Sequence, residues 1–224
     1  MKRKLILFLV LCMCFLVGCG NEHGNLSESG TKNDDFIGET EKVDESDLLS
    51  QMDIEEYSYE NGVGDTIYIL VLKNNSKDTV KVFVNAIAKD ASGNIIGAAD
   101  SEENGIGSGE IICLVNYFDS VEDASDFEYT MTVKQDRECK SVLSELEIRE
   151  SQTSEKVIVT CTNNGDNTPF VKISALFFND GKLIGYDYGF VVDDESELKP
   201  GVTLSEELTY DEEFDEVQVF VRAK

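Results

Sequence analysis

The sequence predicts an all-β protein built from two copies of one antiparallel unit. Apolar residues alternate with polar ones at the strand period of two rather than the helical period of 3.6. Val171, Ile173 and Ala175, for example, share one parity in "VKISALFFN". Turns such as "ASGN" (91–94) and "NDGK" (179–182) separate the runs and suit tight hairpins. Short strands with regular turns indicate an antiparallel sandwich or a small barrel.

An internal repeat divides the chain into two units. The segment "LVLKNNSKDTVKVFVNAIAKDASGNIIG" (70–97) aligns with "VTCTNNGDNTPFVKISALFFNDGKLIG" (159–185), including an Asn-Asn pair and a Gly-led hairpin. A repeat of this kind indicates that one structural unit occurs twice. The sequence therefore predicts a first β domain at 51–141 and a second at 142–224.

The N-terminus has the features of an export signal. Basic residues at 2–4 precede the apolar run "LILFLVLCMCFLV" (5–17), and small residues follow it. This order is typical of a secretory signal peptide, here residues 1–18. The run is shorter than the roughly 20 apolar residues that a membrane-spanning helix needs.

The end of that run carries a short motif. Leu16-Val17-Gly18-Cys19 resembles the lipobox of bacterial lipoproteins. The resemblance implies that Cys19 receives a diacylglyceryl group and becomes the mature N-terminus, which holds the protein on the outer side of a bacterial, Gram-positive cell membrane. Two or more acyl chains anchor stably where one does not. The alternatives are an ordinary signal peptide with a chance Cys and an uncleaved signal anchor.

Residues 19–50 are predicted to be a disordered acidic tether that lifts the body from the membrane. The stretch has few apolar residues and many acids, so it cannot bury enough apolar surface to offset chain entropy. His23, the single histidine of the chain, lies in it. A catalytic triad, a general base or a metal cluster based on histidine is therefore not expected in the β domains. The sequence predicts no catalytic residue, and the chain is interpreted as a non-enzyme.

The charge of the chain limits its partners. The formal net charge is −26, and each unit carries 18 acidic residues against 7 Lys and Arg residues. Nucleic-acid binding needs clustered Lys and Arg, so no nucleic-acid partner is expected. Acidic loops such as "DDESE" (193–197) offer oxygens to Ca²⁺ but lack EF-hand spacing, and no metal site or cofactor is predicted.

Three cysteines lie in the predicted domains, namely Cys113, Cys139 and Cys161. An odd number cannot pair completely within the chain, and their spacing matches no zinc motif. Cys161 shares parity with apolar neighbours, which predicts a buried thiol. A bridge between Cys139 and Cys161 remains an alternative.

The motif order within each unit carries a second resemblance. An Asn-rich turn, a Val-x-Val strand, the "FFNDGK" hairpin and a Pro-Gly-led strand resemble the FxLYD domains of bacterial lipoproteins. The motif falls at Ala175–Asn179 in the second unit and at Ala86–Asp90 in the first, with Ala in place of the leading Phe. The resemblance implies two small Ig-like antiparallel β-sandwiches in tandem and no established activity.

Each unit has apolar residues on a second face. Phe177 falls on the core parity, which leaves the adjacent Phe178 on the opposite face. Apolar residues on a second face indicate a surface for a partner or for the other domain. The candidates for this surface are Phe178, Phe170, Ile67, Ile69 and Val71.

An aromatic stripe in the second unit has two interpretations. Ile184, Tyr186, Tyr188 and Phe190 share one parity in "LIGYDYGF". Exposed, such a stripe would suit carbohydrate binding. Its opposite face is the more polar of the two, and this favours the stripe as the side that faces the domain core.

The leading hypothesis is a membrane-anchored surface lipoprotein that presents two β-sandwiches to an envelope or extracellular protein or peptide. Its membrane contact would be the lipid on Cys19. The rival hypothesis is a module that binds cations or glycans and serves an envelope transporter. Bound Ca²⁺ would favour the rival, and capture of one envelope protein would favour the leading hypothesis.

Overall fold

Six strands of the first repeat unit follow a short helix in the computed structural model, which describes residues 45–224. The predicted signal peptide, with Leu16, Val17, Gly18 and Cys19, lies outside the described residues. The elements of this half are α1 (Glu45–Ser50), β1 (Met52–Glu60), β2 (Thr66–Asn74), β3 (Val80–Lys89), β4 (Ile95–Ile106), β5 (Ile111–Phe118) and β6 (Asp126–Gln135).

The second unit repeats the same succession of strands after a single 3₁₀ turn at Leu143–Glu145. Its strands are β7 (Leu146–Gln152), β8 (Lys156–Asn163), β9 (Val171–Asn179), β10 (Lys182–Phe190), β11 (Thr203–Thr209) and β12 (Glu216–Ala223). The prediction of an all-β fold is confirmed.

Each unit forms two antiparallel three-stranded sheets with matching strand orders. The orders are β1-β2-β5 and β4-β3-β6 in the first unit and β7-β8-β11 and β10-β9-β12 in the second. Each pair of sheets encloses its own apolar core. Because β1 to β6 correspond one by one to β7 to β12, the sequence repeat is also a repeat of topology.

A buried asparagine holds the same turn together in both sandwiches. Asn74 donates from its amide nitrogen to the carbonyls of Asp78 and Ile106, at 2.9 and 3.0 Å. Asn163 donates in the same way to the carbonyls of Asn167 and Leu198, both at 2.7 Å. Both side chains are fully buried. The repeated Asn thus ties backbone carbonyls that would otherwise be buried without a donor.

The structure differs from the predicted tether at its last residues. The helix α1 occupies Glu45–Ser50, and the side chain of Leu48 is buried in the first core. Burial of a leucine side chain stabilises by about 1.5–3 kcal/mol, which helps to hold this segment against the sandwich. The ordered body therefore begins before residue 51.

The four sheets lie in layers. The β1-β2-β5 sheet shares one apolar core with β4-β3-β6 and a separate apolar cluster with β10-β9-β12. Strands β2 and β9 lie at the centres of these two inner sheets and are buried on both faces for most of their lengths. Their sequences, "TIYILVLKN" and "VKISALFFN", consequently read as nearly continuous apolar runs.

Candidate interaction surface at the joint between the sandwiches

An apolar cluster, here the joint cluster, fills the space between the two sandwiches. From the first sandwich it takes the outward-facing side chains of β2, and from the second those of β9, β10 and β12. Its buried members are Ile67, Ile69, Val71, Leu176, Phe178, Leu183 and Phe220. The second apolar face of each unit is therefore covered by the other unit.

Phe178 is the centre of an aromatic contact within the joint cluster. Its ring meets the Tyr57 ring edge to face, with 5.4 Å between the centroids, and its side chain is only 3% exposed. This burial makes Phe178 unavailable to a partner, so a role in partner binding is not retained for it. Phe177 beside it points into the core of its own sandwich, as its parity predicts.

The five candidate residues of the second faces thus separate into two groups. Ile67, Ile69, Val71 and Phe178 come together in the joint cluster. Phe170 does not join them: it lies just before β9, is 38% exposed, and contacts the Phe190 ring at 5.1 Å between centroids.

A buried ion pair forms the polar end of the joint. Arg222 on β12 crosses to the first sandwich and donates to the Glu110 carboxylate and to the carbonyls of Asn104 and Gly105, at 2.8 and 2.9 Å. The Glu110 carboxylate also accepts from the Gly107 amide and the Ser141 hydroxyl. The Arg222 Nε atom has no partner among the described residues.

Sequence reasoning missed Arg222. The signal for it was a single cation in the otherwise apolar run "VQVFVRA" of β12. Arginine is almost never fully buried without a partner. An arginine on an interior strand therefore predicts an acidic residue beside it. The partner, Glu110, is 112 positions away and could not be chosen from so many acids.

The three rings of the β10 stripe lie on the outer face of their sheet, so its interpretation as the core side is wrong for them, while Ile184 does pack against the second core. A bulge between Leu183 and Gly185 leaves Ile184 without a ladder partner and reverses the parity beyond it. Gly185 then faces the core, where a Cβ atom would lie 2.3 Å from the Tyr210 ring. The glycine leaves room for that ring, and Tyr186, Tyr188 and Phe190 point outward.

An exposed aromatic patch lies next to the joint cluster. The patch consists of Tyr117 from the first sandwich and Phe170, Tyr188 and Phe190 from the second, with exposed fractions of 52, 38, 50 and 41%. Tyr188 and Phe190 meet at 80° with their centroids 5.8 Å apart. The Lys172 ammonium lies over the Tyr188 ring, 5.3 Å from its centroid.

Both sandwiches contribute to this patch. Burial raises the pKa of Tyr117, and the neighbouring Tyr188, Cys113 and Asp187 raise it further. Tyr117 belongs to β5 and Tyr188 to β10, so the patch draws on an edge strand of each sandwich. The patch consequently depends on how the sandwiches are joined.

The three cysteines of the domains are unpaired. Cys161 is fully buried in the second core, as predicted, and burial raises its pKa to about 11. Cys113 packs against the joint cluster, where burial raises its pKa to about 12. Thiols held protonated at neutral pH are poor nucleophiles.

The described residues offer neither a metal cluster nor a membrane-spanning helix. Within residues 45–224, no group of three or more His, Cys, Asp or Glu side chains is placed to hold a metal ion. In the same part of the chain, no helix has the length and apolar character to span a bilayer.

Comparisons with known proteins show a weak similarity to solved structures. No family model matches the sequence, and no curated protein matches it. The crystal structure of red sea bream transglutaminase is similar over 78% of this chain and 29% of its own, with 11% identity and a TM-score of 0.26. At this level the similarity carries no argument about the present chain.

Proposed function

We propose that this chain is a non-enzymatic surface lipoprotein that binds an extracytoplasmic protein through its two-sandwich body. The observation that carries the proposal is the exposed aromatic patch formed by Tyr117, Phe170, Tyr188 and Phe190. Neighbouring exposed rings are uncommon on a surface that meets only water, and aromatic residues are enriched where proteins bind one another.

The shape of the patch favours protein over carbohydrate. Phe170 and Phe190 are tilted by 46°, and Tyr188 and Phe190 by 80°. Rings at such angles leave clefts between them that accept apolar side chains. A sugar ring stacks best on a flat ring face, which only the nearly parallel Tyr186 and Tyr188 rings approach.

Charge favours a partner with a basic surface. Both sandwiches are acidic, with 18 acidic residues against 7 Lys and Arg residues in each. Such a field speeds the encounter with cationic partners and slows that with anionic ones. Raising salt to physiological strength is therefore expected to slow association more than it changes dissociation, because the attraction is screened beyond about 8 Å.

Membrane attachment is tested at the proposed anchor. We expect Cys19→Ser to abolish incorporation of a labelled fatty acid and to block cleavage at the lipobox, while Cys14→Ser, also within the N-terminal segment, leaves both unchanged. Normal labelling and processing of the Cys19→Ser protein would reject the anchor.

Partner binding is tested by cross-linking on intact cells, followed by a quantitative binding assay with the captured protein. We expect the double variant Tyr188→Ser, Phe190→Ser to weaken binding by about 100-fold, because two aromatic anchors contribute about 2–3 kcal/mol together at the least. Phe83→Ser is the matched control, since the exposed fraction of Phe83, 38%, is close to the 41% of Phe190, and it lies on the outer face of the first sandwich. Equal effects of the two variants would reject the patch as the binding surface.

Glycan binding is the second candidate, favoured by the exposed tyrosines. Titration of the body with cell-wall oligosaccharides, followed by tyrosine fluorescence, distinguishes it from the first. A saturable change that Tyr188→Ser removes would support a glycan ligand and count against a protein partner at the same patch.

A further inference from the structure

Two edge strands border the aromatic patch, and one of them, β10, is protected. The Val191 backbone N–H donates to the Val171 carbonyl, so these two residues form a hydrogen-bonded pair between β10 and β9. By alternation, the backbone groups of Tyr186 and Tyr188 point away from β9. The Tyr188 amide donates to the Asp187 carboxylate at 2.8 Å, and the Tyr210 hydroxyl donates to the Ile184 carbonyl. Side chains therefore occupy the backbone groups along this edge.

A third contact extends this protection and comes from the first sandwich. Burial strongly raises the pKa of Tyr59, and a hydrogen bond from the backbone of Tyr186 partly offsets the rise. The β10 edge thus has two backbone groups occupied by side chains and lies close to Tyr59 of the first sandwich. Covering an edge with side chains is one way in which proteins prevent other strands from pairing with it.

The other edge strand, β5, lacks such protection. The backbone N–H of Asn74 donates to the Glu110 carbonyl at 3.0 Å, and this bond determines which residues of β2 and β5 form hydrogen-bonded pairs. By alternation, the backbone groups of Cys113, Val115 and Tyr117 point away from β2. Among the described residues, no hydrogen bond reaches these outward groups, and β5 pairs with β2 alone. The edge offers donors and acceptors to an added strand.

The aromatic patch lies beside this open edge. Tyr117 itself belongs to β5, Tyr188 and Phe190 belong to β10 of the sheet that packs across it, and Phe170 lies just before β9. Lys172 lies between the patch and the β5 edge. Its ammonium group lies over the Tyr188 ring, and its charge lowers the pKa of Cys113 on β5, although burial raises that pKa by more. A strand added to β5 would have these rings under one of its faces.

We propose that the partner binds by β-strand addition: an extended segment with alternating apolar and basic side chains pairs with the outward backbone of β5 and rests on the aromatic patch. This inference rests on the proposed protein-binding function and specifies its site and ligand. Backbone pairing supplies affinity in such complexes, and pockets for alternate side chains supply specificity.

The predicted alternation follows from the two faces of the added strand. The face toward Tyr188 and Phe190 meets exposed rings, which suit apolar side chains or a cation over a ring face. Because the Lys172 ammonium already lies over the Tyr188 ring, apolar side chains are expected beside that ring. The side chains on the opposite face of the added strand lie in the negative electrostatic field of the acidic body, which favours Lys and Arg.

A proline on β5 tests strand addition with little effect on the sheet. Val115→Pro removes an N–H that points away from β2, so it breaks no ladder bond, and proline is tolerated at such edge positions. The matched control is Ser205→Pro on β11, the strand that corresponds to β5. The backbone N–H of Asn163 donates to the Val202 carbonyl, so Val202 faces β8 in a hydrogen-bonded pair. By alternation, the N–H of Ser205 points away from β8.

The probe is an acetylated and amidated heptapeptide of alternating Lys and Val, titrated into the two-sandwich body. We expect saturable binding with slowed hydrogen exchange at the amides of Val115 and Tyr117. Val115→Pro should weaken binding by about tenfold, the equivalent of one or two lost hydrogen bonds, and Ser205→Pro should not weaken it. Circular dichroism of both variants shows that the sheets are retained.

A second probe separates strand addition from charge alone. The same heptapeptide with alternate backbone N-methyl groups keeps every side chain but cannot pair with an edge, so it should bind at least about tenfold more weakly. Equal binding of the two peptides, or an unchanged affinity with Val115→Pro, would overturn strand addition.

Failure of this inference differs from failure of the proposed function. If the protein captured by cross-linking depends on Tyr188 and Phe190 but is insensitive to Val115→Pro, the patch binds a partner without strand addition. If the patch variants have no effect on capture, the proposed function itself fails.

Discussion

The two sandwiches have one topology but different outer faces. On the outer face of the first sandwich, β2 presents Ile67, Ile69 and Val71. The corresponding strand of the second sandwich, β8, instead carries polar cross-strand pairs there: Thr160 with Ser205 at 2.8 Å, Thr162 with Thr203 at 2.8 Å, and Lys156 with Glu207 at 2.7 Å. Equivalent strands are thus apolar in one copy and polar in the other.

The opposite sheets show the reverse difference. Phe178 and Leu176 on the outer face of β9 belong to the joint cluster. Their equivalents on β3 are Lys89, which pairs with Glu128 at 2.5 Å, and Ile87. The apolar face thus lies on a different sheet in each copy, so the sandwiches stack through unlike faces.

This arrangement lets the two described sandwiches join with the apolar outer face of each one covered by the other. A contact between unlike faces does not close on itself and continues when every copy carries both faces. Here each sandwich carries only one of the two apolar faces, and the joint uses both. The remaining outer faces carry the polar pairs of β8 and the Lys89–Glu128 ion pair of β3.

The largest loss of stability is expected when Phe178 of the second sandwich is replaced by Lys, the residue at the equivalent position of the first. Phe178→Lys places a cation in the joint cluster and removes the contact with Tyr57, so it should lower the free energy of unfolding by about 4 kcal/mol. Lys89→Ala at the equivalent position of β3 should cost less than about 1 kcal/mol, because its ion pair is partly exposed. Denaturant unfolding of both variants measures the difference, and equal losses would contradict the assignment of unlike faces.

The polar end of the joint should be next in size. Arg222→Met leaves the Glu110 carboxylate buried without its cation, which should cost about 3 kcal/mol. Adding Glu110→Gln removes the unpaired charge and should restore part of that loss. A double-mutant cycle gives the coupling between the two residues, and additive losses would show that the pair does not join the sandwiches.

Much of this organisation could be predicted from the sequence. The period of two, the repeated Asn and the Phe177-Phe178 pair were sufficient for the strands, for the repeat and for a second apolar face in each unit. The aromatic stripe could not be placed, because one bulged residue, Ile184, reverses which face its neighbours occupy. Arg222 and Glu110 depend on a contact between distant strands that no local pattern records.

The shared part of the two sandwiches should respond equally. Asn74→Ala and Asn163→Ala each leave one buried and at least one partly buried carbonyl without a donor and should each cost about 2–3 kcal/mol. Thermal unfolding of the two variants compares the sandwiches directly. A loss confined to one variant would indicate that the repeated Asn is needed in only one copy.

The smallest effect concerns Asp136, which lies at the exit from the first sandwich. Partial burial raises the pKa of its carboxyl, but donors from Cys139, Gly105 and Glu138 outweigh that rise and the net pKa is lowered. A lowered pKa contributes stability above the unfolded value of about 4, and this is lost as pH falls through the folded value. Asp136→Asn should therefore be less stable than the original at pH 6, with a difference that shrinks at lower pH. A difference independent of pH would contradict this role.

The most direct measurement of the central claim, that unlike faces join the sandwiches into one body, is calorimetric unfolding of residues 45–224. The account predicts one cooperative transition, with equal calorimetric and van't Hoff enthalpies. Phe178→Lys should divide it into two transitions, each matching one of the separately prepared fragments 45–141 and 142–224. Two transitions in the original protein, or one unchanged transition in the variant, would contradict the account.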